Sequence, residues 1–529
     1  MNSAGTVRDS VFAFLRAAGA TTVFGNPGST ELRFLRDWPA DFRYVVALHE
    51  GCSVAMADAY AQLTRNAAVV NLHSAGGLGN AMGSIFSAYE NQTPLVIIAG
   101  QQTRSLLPAM PFLFARDATV LPQPYVKWSC EPARAADVPA AIARAYHVAM
   151  TPPFGPAFVS IPEDDWDRPA EPFELRRIEA RSRAGAAALD DLAAALTNCA
   201  RPVIVVGPGV DRDGAADAAV ALAERVGAPV FVAPFSSRCS FPERHPNFAG
   251  FLPPVATALR ERLAPFDLVL VLGAPVFTYH VPSPGPAVAA GTALFQLTDD
   301  PAAAAAALAG TSVVTSLRES LTELAARLPP GAGRSVPERA MPPPLPPVAP
   351  LTGAYVLQAL ARSMPRGTLV IEEAPTHRDA LHGYLPIAEP GTFFAAASGS
   401  LGWALPAAAG AALARPERRV LALLGDGSSL YSIQGLWTAA RLNLRIAFVV
   451  LDNGGYAAMD RFARYLGIAG TPSFALGGID FARAAEAFGC RGARVTTAEE
   501  LERALADAFA FDGPALVAVT VDDGGGTMY

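Results

Sequence analysis

Residues 419–456, RVLALLGDGSSLYSIQGLWTAARLNLRIAFVVLDNGGY, contain two apolar runs that each end in a polar, glycine-rich loop. Both runs are short and consist mostly of valine, leucine, isoleucine and alanine, which is typical of strands buried on both faces of a parallel sheet. We predict a strand, a helix that begins near Ser432, and a second strand that ends at Asp452. Ligands bind beyond the carboxyl ends of such strands, so the loops at Asp426 and Asn453 are candidate site loops.

The same alternation of apolar runs and helix-like segments continues over the rest of the chain and predicts an α/β protein. A chain of 529 residues is too long for one hydrophobic core, since single cores stop growing at about 250–300 residues. A charged segment at 171–183 and a proline-rich segment at 331–350 have the composition of linkers. We therefore predict three doubly wound domains with mostly parallel sheets, at residues 1–175, 185–330 and 351–529.

The composition excludes several classes of function. With 51% hydrophobic and 17% charged residues the chain is not a disordered protein, and a net charge of −7 offers no basic surface for nucleic acid. The five cysteines have no CxxC spacing, which favours reduced thiols in a cytoplasm over a zinc site or a disulfide framework. The amino-terminal residues lack the pattern of a signal peptide. The most apolar stretch, Leu401–Ala414, is shorter than the roughly 20 residues of a membrane span, so we expect no membrane partner and predict a buried helix there.

The GDGS loop has the residues of an anion and metal site. Small residues at Gly427 and Ser428 let backbone N–H groups approach an anion, and the following helix N-terminus adds a partial positive charge. Asp426 and Asn453 would offer a carboxylate and an amide oxygen at one edge of the sheet, and such oxygens suit Mg²⁺ when diphosphate and water oxygens complete the shell. The alternative is an ordinary Asp-Gly turn before a helix. The paired DNGGY loop on the next strand favours the metal site.

A second candidate group lies in the predicted first domain. RYVVALHE, residues 43–50, places Glu50 directly after a strand and at the start of a helix, GCSVAMADAYAQLT. A carboxylate in this position is stabilised as an anion by the helix dipole, so capping explains it equally well. From the residues alone, capping and catalysis both remain open for Glu50.

With these motifs together, the sequence resembles the thiamine-diphosphate enzyme superfamily, whose signature runs from GDG to an asparagine pair across a helix and a strand. The resemblance implies that thiamine diphosphate and Mg²⁺ are the cofactors, and that Asp426, Asn453 and the carbonyl of Gly455 hold the metal. Asp452 replaces the first asparagine of the usual pair, which leaves the liganding asparagine in place. The resemblance also implies that Glu50 hydrogen-bonds the aminopyrimidine ring and so promotes removal of the thiazolium C2 proton.

The same resemblance implies how the cofactor is held and bent. Leu401 matches the bulky apolar residue under the bend, and the carbonyl of Gly399 would hold the amino group. Pro375 stands where the family has a residue with a backbone N–H, which leaves Thr376 to carry that phosphate contact. The further cofactor-binding positions implied are Asn26, Pro27, Gly28, Ser400, Gly427, Ser428 and Tyr456.

Within the superfamily, the sequence resembles the benzoylformate decarboxylase family most closely. Stretches from all three predicted domains carry this resemblance: TTVFGNPGSTEL, VVNLHSAGGLGNAMG, LVLVLGAPVFTYH and LLGDGSSLYSIQGLWTAA. By position, Ser29, His73 and His280 resemble that family's active-site serine and two histidines. A serine in a Gly-Pro loop can hold a substrate carboxylate, and a histidine can exchange protons near neutral pH. We expect His73 to begin a glycine-rich turn and His280 to reach across a domain interface. Which of the two histidines serves which catalytic step stays open.

A substrate pocket is implied by the same resemblance. Phe112, Leu113, Met459 and Phe462 match pocket-lining positions of the benzoylformate decarboxylases, so an aromatic acyl group would gain from apolar burial there. Ala395 stands at a position that is aromatic in that family, which would enlarge the pocket.

The implied reaction is the non-oxidative decarboxylation of an aromatic 2-oxo acid, such as benzoylformate to benzaldehyde and CO₂, through an ylide of the cofactor. The implied assembly is a homotetramer with active sites at dimer interfaces, and the implied partner is a small-molecule substrate. The sequence lacks the consecutive His-His pair of the pyruvate and indolepyruvate decarboxylases, which argues against that branch. The alternative is a carboligase or lyase of the benzaldehyde lyase or acetohydroxyacid synthase type. A nicotinamide or flavin oxidoreductase is disfavoured, because no clean GxGxxG follows a strand and VVGPGVDRDG is the nearest match. A non-catalytic paralogue is disfavoured because Glu50 and the metal ligands are present.

Overall fold

The computed structural model of this chain describes residues 5–329, 334, 336 and 339–522. Within these ranges the strands form three six-stranded sheets, and each pair of neighbouring strands is parallel. Helices lie between most successive strands along the chain, although the connections at residues 233–247 and 273–292 are loops alone. The predicted α/β class with three doubly wound, parallel-sheet domains is therefore confirmed.

The first domain has the strand order β2-β1-β3-β4-β6-β5. Its strands are β1 (Thr22–Asn26), β2 (Arg43–Val46), β3 (Ala68–Leu72), β4 (Leu95–Gln101), β5 (Trp128–Cys130) and β6 (Pro156–Pro162). Its helices are α1 (Val7–Ala17), α2 (Leu32–Leu35), α3 (Glu50–Thr64), α4 (Ser74–Glu90) and α5 (Val138–Ala149). Short 3₁₀ helices lie at Ser29–Glu31, Arg104–Ala109, Ala135–Asp137 and Glu163–Asp167.

The middle domain has the strand order β12-β11-β10-β7-β8-β9. Its strands are β7 (Pro202–Val206), β8 (Val230–Val232), β9 (Phe248–Phe251), β10 (Leu268–Leu272), β11 (Ala293–Thr298) and β12 (Thr311–Val314). Its helices are α6 (Ala186–Asn198), α7 (Pro208–Arg212), α8 (Ala216–Val226), α9 (Ala256–Leu263), α10 (Pro301–Ala305) and α11 (Leu317–Arg327).

The third domain has the strand order β14-β13-β15-β16-β18-β17. Its strands are β13 (Leu369–Glu373), β14 (Phe393–Ala395), β15 (Val420–Gly425), β16 (Ile446–Asp452), β17 (Arg491–Val495) and β18 (Ala515–Thr520). Its helices are α12 (Gly353–Ser363), α13 (Arg378–Tyr384), α14 (Ala404–Ala414), α15 (Asp426–Leu430), α16 (Gly435–Arg441), α17 (Ala457–Tyr465), α18 (Phe481–Ala487) and α19 (Ala498–Ala510), with a 3₁₀ helix at Pro375–His377.

The structure corrects the predicted start of the helix after the GDGS loop. We predicted one helix from near Ser432, but the chain enters α15 directly at Asp426 and begins α16 at Gly435. The Asp426 carboxylate accepts the N–H of Gly427 at 2.7 Å, which satisfies a free donor of the first turn and lets the helix start there.

The predicted glycine-rich turn after His73 is also wrong, because this segment is the start of helix α4. One of its glycines serves close packing. A Cβ atom at Gly77 would lie 3.1 Å from Oε1 of Glu50, so Gly77 lets α4 lie directly against the start of α3.

The predicted linkers differ in how much of them is described. Residues 171–183 contain neither helix nor strand, in agreement with a linker. Of the proline-rich segment 331–350, residues 331–333, 335, 337 and 338 lie outside the described residues, as do residues 1–4, 330 and 523–529 of the predicted domain ranges. The domain boundaries themselves stay predictions.

The hydrophobic core joins the first and third domains through α3 and α14. A Cβ atom at Gly410 would lie 1.9 Å from the carbonyl oxygen of Met56, so only glycine allows this approach of the two helices. The predicted helix at 401–414 is buried as expected but begins at Ala404, after a loop. In the described part of the chain we find no helix with the length and apolarity to cross a membrane.

Candidate active site

The two loops quoted at the outset meet at the carboxyl ends of β15 and β16. These strands are neighbours, with Gly425 opposite Leu451. The backbone N–H of Gly455 donates to Oδ2 of Asp426 at 2.8 Å and to Oδ1 of Asn453 at 3.2 Å. One amide group therefore contacts oxygens of both predicted metal ligands, which places a carboxylate and an amide oxygen side by side.

Asp426 is a buried carboxylate at the tightly packed start of α15. It is 3% exposed, and this burial raises its pKa to about 6, with Asp452 acting in the same direction and the N–H groups of Gly427 and Gly455 opposing it. A Cβ atom at Gly427 would lie 2.5 Å from the ring of Tyr456. The two loops are therefore in direct contact, and Gly427 is the residue that allows it.

The segment with Pro375 and Thr376 follows β13 at the same edge of the sheet. Thr376 is buried, and its carbonyl oxygen accepts a hydrogen bond from Nη1 of the buried Arg461 at 2.6 Å. Arg461 lies in α17, the helix that also carries Met459 and Phe462. The Arg461 side chain thus links Thr376, the predicted phosphate contact, to the helix that carries the predicted pocket residues.

Residues 397–403 form the loop that leads into α14. Gly399 has a φ angle of +70°, which favours glycine, and Ser400 and Leu401 are half-buried. The buried carboxylate of Glu373, the last residue of β13, holds the end of this loop and the first residue of α14. Three backbone N–H groups donate to this carboxylate within 2.8 Å, those of Gly402, Trp403 and Ala404.

The first domain of the same chain also holds the 397–403 loop in place, through two hydrogen bonds. The fully buried Asp58 of α3 accepts the indole N–H of Trp403 at 2.7 Å. The amide oxygen of Asn91 accepts the backbone N–H of Ala397 at 2.9 Å. Two domains therefore position the loop that contains Gly399.

Glu50 is the first residue of α3, but it does not cap the helix. The preceding His49 is the capping residue, because its Nδ1 accepts the N–H of Gly51 at 3.0 Å. The Glu50 carboxylate is 8% exposed, and its Oε2 accepts a hydrogen bond from Asn80 of α4 at 3.2 Å. Capping therefore does not explain a carboxylate buried at this position, which favours a functional role.

His73 lies at the carboxyl end of β3 against a buried acidic residue. Its Nδ1 lies 2.9 Å from Oε2 of Glu31 and 3.0 Å from Oγ1 of Thr30. The imidazole packs on Gly28, where a Cβ atom would lie 2.4 Å from the ring. Ser29 follows in the chain and is exposed. The structure thus brings Gly28, Ser29 and His73 into one corner of the first domain.

His280 contacts the third domain across the interface, as its predicted role requires. Its ring stacks on Phe462 with the ring centroids 4.8 Å apart and an interplanar angle of 15°. The ring of Phe235 packs edge-on at 5.9 Å. The backbone N–H of His280 donates to the carbonyl of Pro254. An imidazole and two aromatic rings therefore form one wall at this edge of the third domain.

The other predicted pocket residues lie on exposed surfaces of the single chain. Phe112 is 87% exposed and Met459 is 50% exposed. The carbonyl of Leu113 accepts the hydroxyl of Ser74 at 2.7 Å, which fixes this segment beside His73. Large exposed apolar side chains at these positions are typical of surfaces that another molecule covers.

The predicted residues fall into two groups by the domain in which they lie. The first group lies in the first domain and contains Asn26, Pro27, Gly28, Ser29, Glu50, His73, Phe112 and Leu113. The second group lies in the middle and third domains and contains His280, Thr376, Gly399, Ser400, Leu401, Asp426, Gly427, Ser428, Asn453, Gly455, Tyr456, Met459 and Phe462.

Three family profiles match this arrangement of domains. They describe the N-terminal TPP binding domain of the thiamine pyrophosphate enzymes at residues 5–118, their central domain at 189–324 and their C-terminal TPP binding domain at 375–519. The chain belongs to the thiamine pyrophosphate enzyme family. Because thiamine pyrophosphate is another name for thiamine diphosphate, the predicted cofactor and the superfamily resemblance are confirmed.

Individual relatives place the chain more finely within the thiamine pyrophosphate enzymes. It is 43% identical over 524 residues to benzoylformate decarboxylase of Pseudomonas aeruginosa, which covers 97% of this chain and 98% of that protein. The crystal structure of benzoylformate decarboxylase from Polynucleobacter necessarius matches with a TM-score of 0.96 and 38% identity, over 98% of this chain and 99% of that one. A thiamine diphosphate-dependent 4-hydroxybenzoylformate decarboxylase of Rhodococcus jostii RHA1 matches with a TM-score of 0.95 and 41% identity, over the same shares. The predicted class, a thiamine-diphosphate-dependent 2-oxo-acid decarboxylase, is confirmed.

The donor set of the third domain fits the cofactor of this family. Asp426, Asn453 and the backbone at Gly455 offer hard oxygen ligands, which Mg²⁺ prefers, and diphosphate oxygens would complete the shell. Gly399 has open space at its Cβ position, so the backbone is accessible to a ligand. These residues would hold the metal and the diphosphate of a thiamine pyrophosphate enzyme.

The VVGPGVDRDG segment, which we considered as the nucleotide turn of an oxidoreductase, packs closely against a neighbouring loop. A Cβ atom at Gly207 would lie 2.4 Å from Cβ of Ala274, and one at Gly209 would lie 2.8 Å from Cα of Gly273. The loop after β10 therefore occupies the space beside this turn. Both glycines are explained by this contact in the middle domain.

Several residues that position the site were not predicted from the sequence. The spacing in GSTE could have indicated Glu31, because a glutamate three residues after Gly28 can accept the backbone N–H of Gly28. The others lie inside helices or at a strand end, where no motif marks them. The residues missed are Glu31, Asp58, Asn80, Glu373 and Arg461.

Proposed function

We propose that the chain decarboxylates aromatic 2-oxo acids, with benzoylformate converted to benzaldehyde and CO₂ as the reference reaction. The observation that carries this proposal is the stack of His280 on Phe462, which combines an aromatic wall with a proton-exchanging group. The names of the relatives support it, since they act on benzoylformate or 4-hydroxybenzoylformate.

Glu50 is the residue we assign to cofactor activation. Bound thiamine diphosphate supplies a nucleophilic C2 carbon and an electron sink for the bond that loses CO₂. The buried Glu50 carboxyl group would form a hydrogen bond with a ring nitrogen of the aminopyrimidine, while Asn80 donates to its Oε2 and holds it in place. Burial strengthens such a bond because water does not compete for it.

Ser29, His73 and His280 are the residues we assign to the substrate. The exposed hydroxyl of Ser29 can donate to the substrate carboxylate, beside His73 in the same corner. Glu31 orients the His73 ring through Nδ1, which leaves Nε2 for proton exchange with substrate. His280 would exchange a proton from the opposite, aromatic side of the pocket.

We further propose that the complete site forms between two copies of the chain within a homotetramer. The apolar side chains of Phe112 and Met459 are exposed in the single chain, although both belong to the predicted acyl pocket. A second copy that brings the first-domain group of one subunit against the third-domain group of another would bury both. Such closure would also exclude water from the reacting atoms.

Purified protein with thiamine diphosphate, Mg²⁺ and benzoylformate tests the proposed reaction. We expect one CO₂ and one benzaldehyde per benzoylformate consumed, without any acceptor aldehyde, and loss of turnover in EDTA that added Mg²⁺ restores. A carboligase or lyase would instead release CO₂ only with an acceptor, or cleave acyloins without 2-oxo acid consumption. Either of those results would contradict the proposed reaction while leaving the family membership intact.

A further inference from the structure

A large cavity lies between the middle and third domains beside the His280–Phe462 stack. Its volume is about 1070 Å³. This exceeds the upper end of the roughly 300–1,000 Å³ typical of pockets for drug-sized ligands. The cavity is therefore much larger than one benzoyl group requires.

The cavity approaches the predicted acyl pocket through two aromatic residues of its lining. Phe235 and Tyr465 line it. Phe235 packs edge-on against His280 at 5.9 Å, and Tyr465 stacks on Phe462 at 6.2 Å. The rings that form the wall of the pocket thus continue into the wall of the cavity.

Ala395 is the small residue at the junction. It is the last residue of the edge strand β14, lies opposite Glu372 of β13 and lines the cavity. The chain reaches Gly399 only four residues later, so Ala395 lies at the edge of the sheet where the cofactor is held. A methyl side chain at this point leaves space in the cavity that a large side chain would fill.

Aromatic rings make up a large part of the lining of the cavity. Its charged residues and its histidine are Arg262, Arg339, Glu372, Arg378, Asp379 and His382. Of these, Arg378 pairs with Glu372 at 2.7 Å, and Arg262 lies over the ring of Phe231. Prolines at 229, 253 and 254 and aliphatic residues fill the spaces between aromatic side chains. Aromatic rings pack favourably edge-on or offset at such distances. The aromatic residues of the lining are Phe231, Phe235, Phe251, Phe266, Phe393 and Tyr465.

We propose that this cavity accepts the distal part of the substrate, so that the preferred substrates are 2-oxo acids whose aryl group carries a second ring. Ala395 is then the residue that determines specificity for acyl length. This inference rests on the proposed decarboxylation, because it places the acyl group of that reaction.

The test compares 4-phenylbenzoylformate with benzoylformate in the holoenzyme and in variants at Ala395. We expect the wild-type kcat/KM for the two-ring acid to equal or exceed that for benzoylformate. In Ala395→Phe, the ratio of the two kcat/KM values should fall by about 10-fold or more, since shape changes in a pocket discriminate by this order. Ala395→Val and Ala395→Leu should give intermediate ratios, which decides the question if the phenylalanine variant does not fold.

Ala388→Phe is the matched control, because Ala388 lies on the same connection before β14, is exposed and does not line the cavity. Its ratio should remain that of the wild type. Equal ratios across the Ala395 series, or a wild type that discriminates against the two-ring acid, would overturn the inference.

A binding measurement separates this inference from the proposed reaction. Calorimetric titration with 4-phenylbenzaldehyde reports on the cavity without turnover. Weaker binding to Ala395→Phe than to the wild type supports the cavity even if no 2-oxo acid is decarboxylated. If benzoylformate is decarboxylated but 4-phenylbenzaldehyde binds equally well to the wild type and to Ala395→Phe, the proposed reaction stands and the cavity is rejected as the acyl site.

Discussion

The indole N–H of Trp403 donates to Oδ2 of Asp58 over 2.7 Å, and this bond joins the third domain to the first. Asp58 is fully buried, and burial raises its pKa while its hydrogen bonds oppose that shift. Its other partners are polar side chains of the first domain, Gln62, Asn91 and Thr93. One carboxylate therefore sets the position of the loop that leads into α14.

Replacing Asp58 should destabilise the protein strongly. Asp58→Ala leaves several buried donors without an acceptor, at a cost of about 3 kcal/mol or more. Differential scanning fluorimetry of the apoprotein should show a clear fall in melting temperature. Asp191→Ala, on the exposed face of α6, should leave it nearly unchanged. An Asp58 variant as stable as this control would contradict the assigned role.

Glu50→Gln should stop cofactor activation without unfolding the protein. The amide keeps the size of the side chain but cannot promote proton removal in the same way, so exchange of the C2 proton of bound thiamine diphosphate should slow by about 100-fold or more. Deuterium exchange followed by NMR measures this rate directly. Cofactor affinity should change much less. Glu171→Gln, in the exposed linker, serves as the control, and near-normal exchange in Glu50→Gln would remove the assignment.

Gly427→Ala should disrupt the contact between the two site loops. Its methyl group would lie 2.5 Å from the Tyr456 ring, so one loop has to move. We expect a lower melting temperature of the apoprotein and a weaker stabilisation by thiamine diphosphate with Mg²⁺. In Gly425→Ala the methyl group would lie 3.6 Å from Oγ of Ser428, an ordinary contact, so the apoprotein should keep its stability. Equal stabilities of the two variants would argue against this packing.

Glu373 should make stability depend on pH. Burial raises its pKa to about 7 from an ordinary value of 4.5, although three backbone N–H groups oppose the shift. Between these values the folded protein binds more protons at this site than the unfolded chain, so its contribution is complete below 4.5 and is lost as the pH rises to about 7. The limiting slope is about 1.4 kcal/mol per pH unit. Denaturant titrations of the wild type and Glu373→Gln should show that this slope disappears in the variant, and an identical slope in both would refute the assignment.

The sequence predicted those parts of the fold that repeat a local pattern. Short apolar runs identified the parallel strands, and the carboxyl ends of two neighbouring strands brought Asp426 and Asn453 together as expected. The start of α15 at Asp426 was not predictable from periodicity, because the Asp426 side chain accepts a backbone N–H within the first turn. A local side-chain contact accompanies that boundary.

Long-range contacts account for the rest of what the sequence did not predict. Asp58 and Trp403 are 345 positions apart, and nothing near Asp58 in the sequence marks it as an interdomain residue. Arg461 and Thr376 are 85 positions apart and belong to different elements. Such partners become visible only when the packing of α3 on α14 and of α17 on the sheet is known.

We propose that Glu50 of one chain activates a cofactor that Asp426 of another chain holds. Mixing Glu50→Gln with Asp426→Ala by co-expression tests it, because a hybrid dimer then contains one site with both native residues. Each variant alone should be inactive, whereas random mixing should restore roughly a quarter of the wild-type activity. A co-expressed mixture as inactive as the separate variants would contradict the claim.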